Sequence, residues 1–228
     1  MNVIQPIVHR TMSAQVYQDL RELIISGQLQ PGERLTLVGM ATAMGTSAMP
    51  VRDAFNRLAA ESALEILPNK LVRVPIMTRS RFEELVVIRL VVEGLAVETA
   101  ASRITAEQLN HLAALEKAFS LEISRDDPDV NQIIQLNKQF HFSAYASAEM
   151  PILSSLIEGL WLRIGPVLNL DFRNRSSRRR SDLPSITAHR ALLEALRRGD
   201  GAAAKAALAM DISTSAEVIL AEGGLENS

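Results

Sequence analysis

From Thr78 onward every stretch between breakers carries apolar residues three or four positions apart, and none alternates polar with apolar. A chain patterned this way buries its apolar side chains by stacking helix on helix. Phe82, Leu85, Val86, Arg89, Leu90, Glu93, Val97 and Ala100 mark one long helix, and Thr105 caps the next, with Glu107 and Gln108 in its first turn. Asp127-Pro128 opens a third, and further helices are expected at about 151–172, 181–198 and 200–221. Gly199 and the polar run from Asn174 to Arg180 separate them. The expectation is roughly six helices in an antiparallel bundle. Aromatic residues make up only 4% of the chain, so the core must be built from Leu, Ile, Val, Ala and Met.

The N-terminal part is organised differently. Residues 1–10 contain Pro6 and no helical period, and read as a loose arm, whereas Thr11 to Ser26 carries Val16, Leu20, Leu23 and Ile24 at helical spacing and ends at Gly27. The turn Gln30-Pro31-Gly32-Glu33-Arg34-Leu35 leads to a short helix with Thr36 as its cap and Val38, Ala41 and Met44 as its apolar stripe. Gly45 then permits a left-handed turn. A second helix starts near Ser47, which can cap it, with Pro50 in the first turn where no N–H is needed. Val51, Ala54, Phe55 and Leu58 form its buried stripe; Arg52, Asp53, Asn56 and Arg57 lie off it. Two β-like runs, Leu64 to Leu67 and Leu71 to Val74, are joined by Pro68-Asn69-Lys70 and read as a hairpin with a basic tip.

A short helix pair is common inside larger folds, but a hairpin directly after the second helix is a wing. The fold class expected is therefore mainly α. An N-terminal winged helix-turn-helix with a small β-hairpin wing occupies residues 1–76, and an all-α antiparallel bundle residues 77–228. Arg52 stands on the first exposed turn, where a helix lying in the major groove presents side chains to base edges and phosphates. Ser47, Met49 and Arg57 complete the candidate DNA-facing set on this helix.

With 228 residues and 47% hydrophobic content, two modest domains can each have a core. The absence of cysteine excludes a disulfide framework and a thiolate metal site, and fits a reducing compartment. No uninterrupted apolar run is expected to span a bilayer and the N-terminus has no apolar signal core, so a cytoplasmic location without a membrane is expected. The net charge of -2 argues against nonspecific coating of nucleic acid. Operator affinity would come from a local basic face used twice, in a homodimer.

Inside the bundle, Asn137 and His141 are one helical turn apart on one face, as converging metal ligands must be. His189 stands on the next-to-last helix and Asp211 on the last. Two imidazoles and a carboxylate would suit zinc, nickel or manganese, with Asn137 as a weak oxygen ligand. The alternative is that both histidines are hydrogen-bonded core residues and Asp211 a surface acid. Arg89 and Arg163 fall in apolar surroundings, and a buried guanidinium can grip a carboxylate with two parallel bonds. Arg89 can equally pair with Glu93 one turn on. Arg173, Arg175, Arg178, Arg179 and Arg180 read as a solvated loop.

The order from Val16-Tyr17 to Ile25, then Gln30-Pro31-Gly32-Glu33-Arg34-Leu35, then Ser47-Ala48-Met49-Pro50-Val51-Arg52-Asp53-Ala54-Phe55-Asn56-Arg57-Leu58, resembles the winged domain of GntR-family bacterial transcription regulators. That resemblance implies DNA contacts by Arg34, Arg52, Asn69 and Lys70. Two positions depart from the pattern: Ala48 stands where the family usually has Arg, and Ser62 where it usually has Gly. The bundle is similar to the FCD effector domain of the FadR subfamily, through Arg89-Leu90-Val91-Val92-Glu93, Asn137-Lys138-Gln139-Phe140-His141 and Ala188-His189-Arg190. Its helix count is nearer the VanR-like group. The resemblance implies a metal at the base of a ligand pocket, held in that family by an Asp and three His. Here Asn137 replaces the Asp and Asp211 the last His.

The function expected is a metabolite-responsive transcription regulator, a repressor, that binds a double-stranded DNA operator as a homodimer and senses a small carboxylate effector. A metal-dependent enzyme using His141, His189 and Asp211 is the rival from another class. Against it, the sequence shows no phosphate loop, nucleophile elbow or motif-placed general base. A helical adaptor whose winged part binds protein is a third.

Overall fold

The computed structural model describes residues 12–68, 71–168, 184–221 and 225–226. The N-terminal arm, Asn69, Lys70 and the arginines between 173 and 180 lie outside the described residues.

Helix α1 (Met12–Ile25) buries Val16, Tyr17, Leu20, Ile24 and Ile25 and is stopped by Gly27 at φ 65. Helix α2 (Leu37–Ala43) is capped by Thr36, whose hydroxyl accepts from the Gly39 N–H at 3.1 Å. The expected apolar stripe of α2 is only partly real. Ala41 is buried and Met44 packs at the edge of the core, but Val38 is 74% exposed. Gly45 makes the left-handed turn at φ 61, and α3 (Ala48–Ala60) buries Val51, Ala54, Phe55 and Leu58.

Ser47 stands at the N-cap of α3 with extended backbone, yet its hydroxyl makes no cap hydrogen bond. Pro50 occupies the third helical position and has no N–H to give. Strands β1 (Arg34–Leu35), β2 (Glu65–Ile66) and β3 (Val72–Arg73) form an antiparallel sheet in the order β1-β3-β2. The wing strands are shorter than the sequence suggests, and the stretch read as a turn at Arg34-Leu35 is a third strand, paired Arg34 to Arg73 and Leu35 to Val72.

Six helices follow among the described residues: α4 (Arg79–Ala100), α5 (Ala106–Ile123), α6 (Val130–Ala146), α7 (Pro151–Leu168), α8 (Pro184–Arg197) and α9 (Gly201–Ala221). Thr105 and Gln108 form a capping box at α5. The cap of α6 is Asp129 rather than Asp127-Pro128: its carboxylate accepts from the Asn131 and Gln132 N–H groups. Helix α9 packs on α4 and α8, α5 on α6 and α8, and α4 on α6 and α7. Helix α7 is long and apolar enough to cross a membrane by length and composition, although Glu158 and Arg163 interrupt its apolar run. More than half of it is buried within the fold, which is the behaviour of a core helix.

Among the described residues, two ion pairs and a close backbone approach help tie the winged unit to the bundle. Arg21 of α1 pairs with Glu158 of α7 at 2.9 Å, and Lys138 of α6 pairs with Glu22. Gly165 of α7 meets the backbone of Ile24 and Ile25 where no Cβ would fit. Residue Glu226 adds a parallel bridge to the linker, donating to the Met77 carbonyl at 3.2 Å and accepting from the Arg79 N–H at 3.1 Å.

Candidate nucleic-acid interface and effector pocket

On α3 the residues off the buried stripe divide into engaged and unengaged. Arg57 lies 3.6 Å above the Tyr17 ring and bonds Glu61 at 3.4 Å, so the packing of α1 on α3 holds it. Glu61 also accepts from the Tyr17 hydroxyl at 2.7 and 2.8 Å; burial first, and then that hydrogen bond, raise the Tyr17 pKa. Asp53 accepts from Ser13 Oγ at 3.2 Å. Met49, Arg52 and Asn56 remain outward and exposed. Arg52 and Asn56 border a groove with Leu37, Phe55, Ile66 and Val72, between α3 and the wing. Arg34 is exposed on β1, beside Arg73, which pairs with Glu65 at 2.7 Å.

The bundle encloses a second site built from α4, α6, α7, α8 and α9. Asn137 and His141 come from α6, one turn apart and both buried; His189 comes from α8 and Asp211 from α9. The His189 and His141 Nε2 atoms face each other at 3.2 Å, and His141 Nε2 is 3.2 Å from Asp211 Oδ2. All three ligand atoms lie within 4.8 Å of one another. Ligands held ~2.0–2.2 Å from one metal stand roughly 3–3.5 Å apart, and the His189–His141 and His141–Asp211 separations of 3.2 Å lie in that range.

The surroundings orient these groups. His141 Nδ1 lies 3.4 Å from the Tyr145 hydroxyl, which leaves Nε2 for the cavity. Tyr145 donates to Glu93, and Glu93 receives Arg89 through two bonds of 2.6 and 3.2 Å. The Arg89 pair with Glu93, open as an alternative in the sequence, is therefore formed. Burial alone would lower the Arg89 pKa, but the Glu93 charge and hydrogen bond outweigh it and raise it. Burial pushes the His189 pKa down to about 3, so its imidazole is neutral near pH 7. Asp211 behaves oppositely. Burial would raise its pKa, but the hydrogen bond from His141 and the nearby positive charge hold it below the usual carboxylate value.

Arg89, Asn137, His141, Trp161, Ser185 and Asp211 line the cavity, with Leu168, Thr214 and Ser215 among its other walls. Among the described residues, Trp161 Nε1 and Ser185 Oγ are buried without a hydrogen-bond partner, and such groups cost stability unless something completes them. Only two of the five guanidinium donors of Arg89 are used by Glu93. Arg163 is not in this site. It lies two residues past Trp161, on the other side of α7, half-buried between the buried Leu162 and Ile164. Trp161, Ser185, Thr214 and Ser215 were not singled out in the sequence, where each looks like an ordinary helix residue.

Residues 12–74 match the family described as bacterial regulatory proteins, gntR family, and residues 84–214 match the FCD domain. The HTH-type transcriptional regulator McbR of Escherichia coli (strain K12) is 35% identical over 161 residues, covering 71% of this chain and 72% of McbR. A probable D-xylose utilization operon transcriptional repressor of Paenarthrobacter nicotinovorans is 28% identical over 208 residues, covering 89% of this chain and 86% of its own length. The solved structure of E. coli McbR/YncC superposes with a TM-score of 0.86 at 29% identity, covering 93% of this chain and 98% of that one.

Proposed function

Since the chain belongs to the gntR family of bacterial regulatory proteins and carries an FCD domain, it is a DNA-binding transcription regulator and not an enzyme, and we propose that it is a cytoplasmic, metabolite-responsive repressor. Its effector is a small carboxylate, bound in the cavity of the bundle. The observation that carries this reading is that Arg89, His141 and Asp211 line one cavity, with His189 clustered against His141 and Asp211 behind it, and that Trp161 and Ser185 of the same lining each hold a buried polar atom without a partner among the described residues. Names of relatives that include the word repressor support the direction of control.

Zinc, nickel or manganese held by His141, His189 and Asp211, with Asn137 beside them, would supply a coordination position for an anionic oxygen. Arg89, kept in place by Glu93, turns its remaining donors to the same anion. Tyr145 keeps His141 in one orientation, and the aromatic rings of Phe119 and Phe140 do the same for His189.

The protein acts as a homodimer in this reading, one winged unit per half-site. Exposed Val87, Val91 and Leu95 on α4, with Ile152 and Leu156 on α7, offer an apolar face for a second copy. Gly159, on α7 with open space around it, lets a partner helix come close. Control is a population shift: an effector that binds one arrangement of the bundle better favours that arrangement. Helix α7 joins the two sites, because Trp161 and Leu168 line the cavity and Gly165, between them on one face, touches α1.

A gel shift on an operator selected from random DNA tests the reading, run with a panel of small mono- and dicarboxylates. Arg52→Ala should abolish binding and Arg34→Ala weaken it, each base contact of this kind being worth ~1–3 kcal/mol. One carboxylate should release wild-type protein and fail to release Arg89→Ala. Release of the Arg89→Ala protein at the same concentration would remove the pocket assignment.

A further inference from the structure

On the reading that α3 enters the major groove, we propose that Met49 reads a base, selecting thymine through its 5-methyl group. Met49, Arg52 and Asn56 recur three and four positions apart on the outward side of α3, opposite the buried Val51, Ala54, Phe55 and Leu58. Their charged neighbours are already engaged, Asp53 by Ser13 and Arg57 by Tyr17 and Glu61. Beyond the exposed N-cap Ser47, the outward side of α3 then offers one thioether, one guanidinium and one amide.

Met49 is 62% exposed in the first turn of α3, the turn that a groove-entering helix brings nearest the base edges. Its flanking residues supply no polar side chain: Ala48 has none and Pro50 lacks even the N–H. Thymine is the one base that offers a methyl group in the major groove, and an apolar side chain is its matching contact. The unbranched thioether of Met adapts to such a surface without a fixed hydrogen-bond geometry. Arg52, one turn further along, suits guanine, and the helical rise puts the two bases about one to two base pairs apart in each half-site. Ala48, the first residue of α3, adds no side chain that could reach past Met49.

The experiment is a thymine-to-deoxyuridine scan of the operator selected by the wild-type protein, which removes one methyl group at a time. One thymine per half-site should lose about fourfold in affinity, and the symmetric double replacement about fifteenfold, as expected for burial of one methyl group. The Met49→Ala protein, whose exposed site leaves the fold intact by circular dichroism, should bind thymine and deoxyuridine operators equally. Met49→Leu should keep the discrimination. A wild-type protein indifferent to every deoxyuridine, or a Met49→Ala protein with undiminished discrimination, overturns the proposal while leaving α3 as the recognition helix. Failure of the wild-type protein to select any sequence overturns the groove reading, and this proposal with it.

Discussion

Gly165 lies so near the end of α1 that a Cβ placed on it would stand 2.7 Å from the Ile25 Cα and 2.8 Å from the Ile24 carbonyl oxygen. Both obstacles are backbone, so α1 and α7 must separate to admit even one methyl group. Gly165→Ala should cost ~1–3 kcal/mol in urea denaturation, as overpacking does. It should also change operator affinity in the absence of effector, because the winged unit is displaced from the bundle. Unchanged denaturation and unchanged operator binding would show that this contact is not rigid.

Metal content tests the histidine and aspartate cluster. Protein purified without chelator should carry about one divalent ion per chain by elemental analysis, and His189→Ala and Asp211→Ala should each lower it steeply. Asn137→Ala should lower it less, a neutral amide being a poor ligand. Metal-free protein with a full effector response would leave Arg89 and the imidazoles to bind the carboxylate directly.

Acid should destabilise the chelator-treated protein through His189. Its pKa is about 3 in the fold and ~6.5 unfolded, so between those values the unfolded chain binds a proton that the folded chain refuses. Stability contributed by this group is complete above pH 6.5 and falls as the pH drops toward 3, by about 1.4 kcal/mol per pH unit over the steep part. Denaturation curves of wild type and His189→Phe across that range should diverge in slope. Parallel curves would remove His189 as the group responsible.

Ser62 adopts φ 60 just after α3, a left-handed conformation that costs a residue with a Cβ. Ser62→Gly should therefore raise stability by ~1 kcal/mol, seen as a higher thermal midpoint. No gain would mean that the serine is held there by interactions that offset its strain.

The legible parts of the chain were those where one residue type does a job nothing else does. Gly27 and Gly45 take positive φ, Thr36 and Thr105 cap, and Gln108 closes the capping box. The one-turn spacing of Asn137 and His141 likewise fixed a shared face whatever the tertiary packing. What escaped depended on partners distant in sequence. Strand β1 is two residues long and exists because β3 lies beside it. Arg57 was indistinguishable from Arg52 until Tyr17 and Glu61 were brought beneath it, and Arg163 read as buried from its apolar neighbours although it points away from the cavity. Ser185 and Trp161 became notable only as unpartnered groups, a property of the assembled bundle.

The bridge from Glu226 to the linker at Met77 and Arg79 has a consequence for synthesis. On a ribosome the winged unit emerges first and can fold early, but the segment that pins its joint follows every helix of the bundle in chain order. A nascent chain thus holds α3 complete long before the residue that bridges the linker has been made. The bridge at the joint is therefore among the last contacts that the chain can make during translation, after the contacts of α1 with α6 and α7.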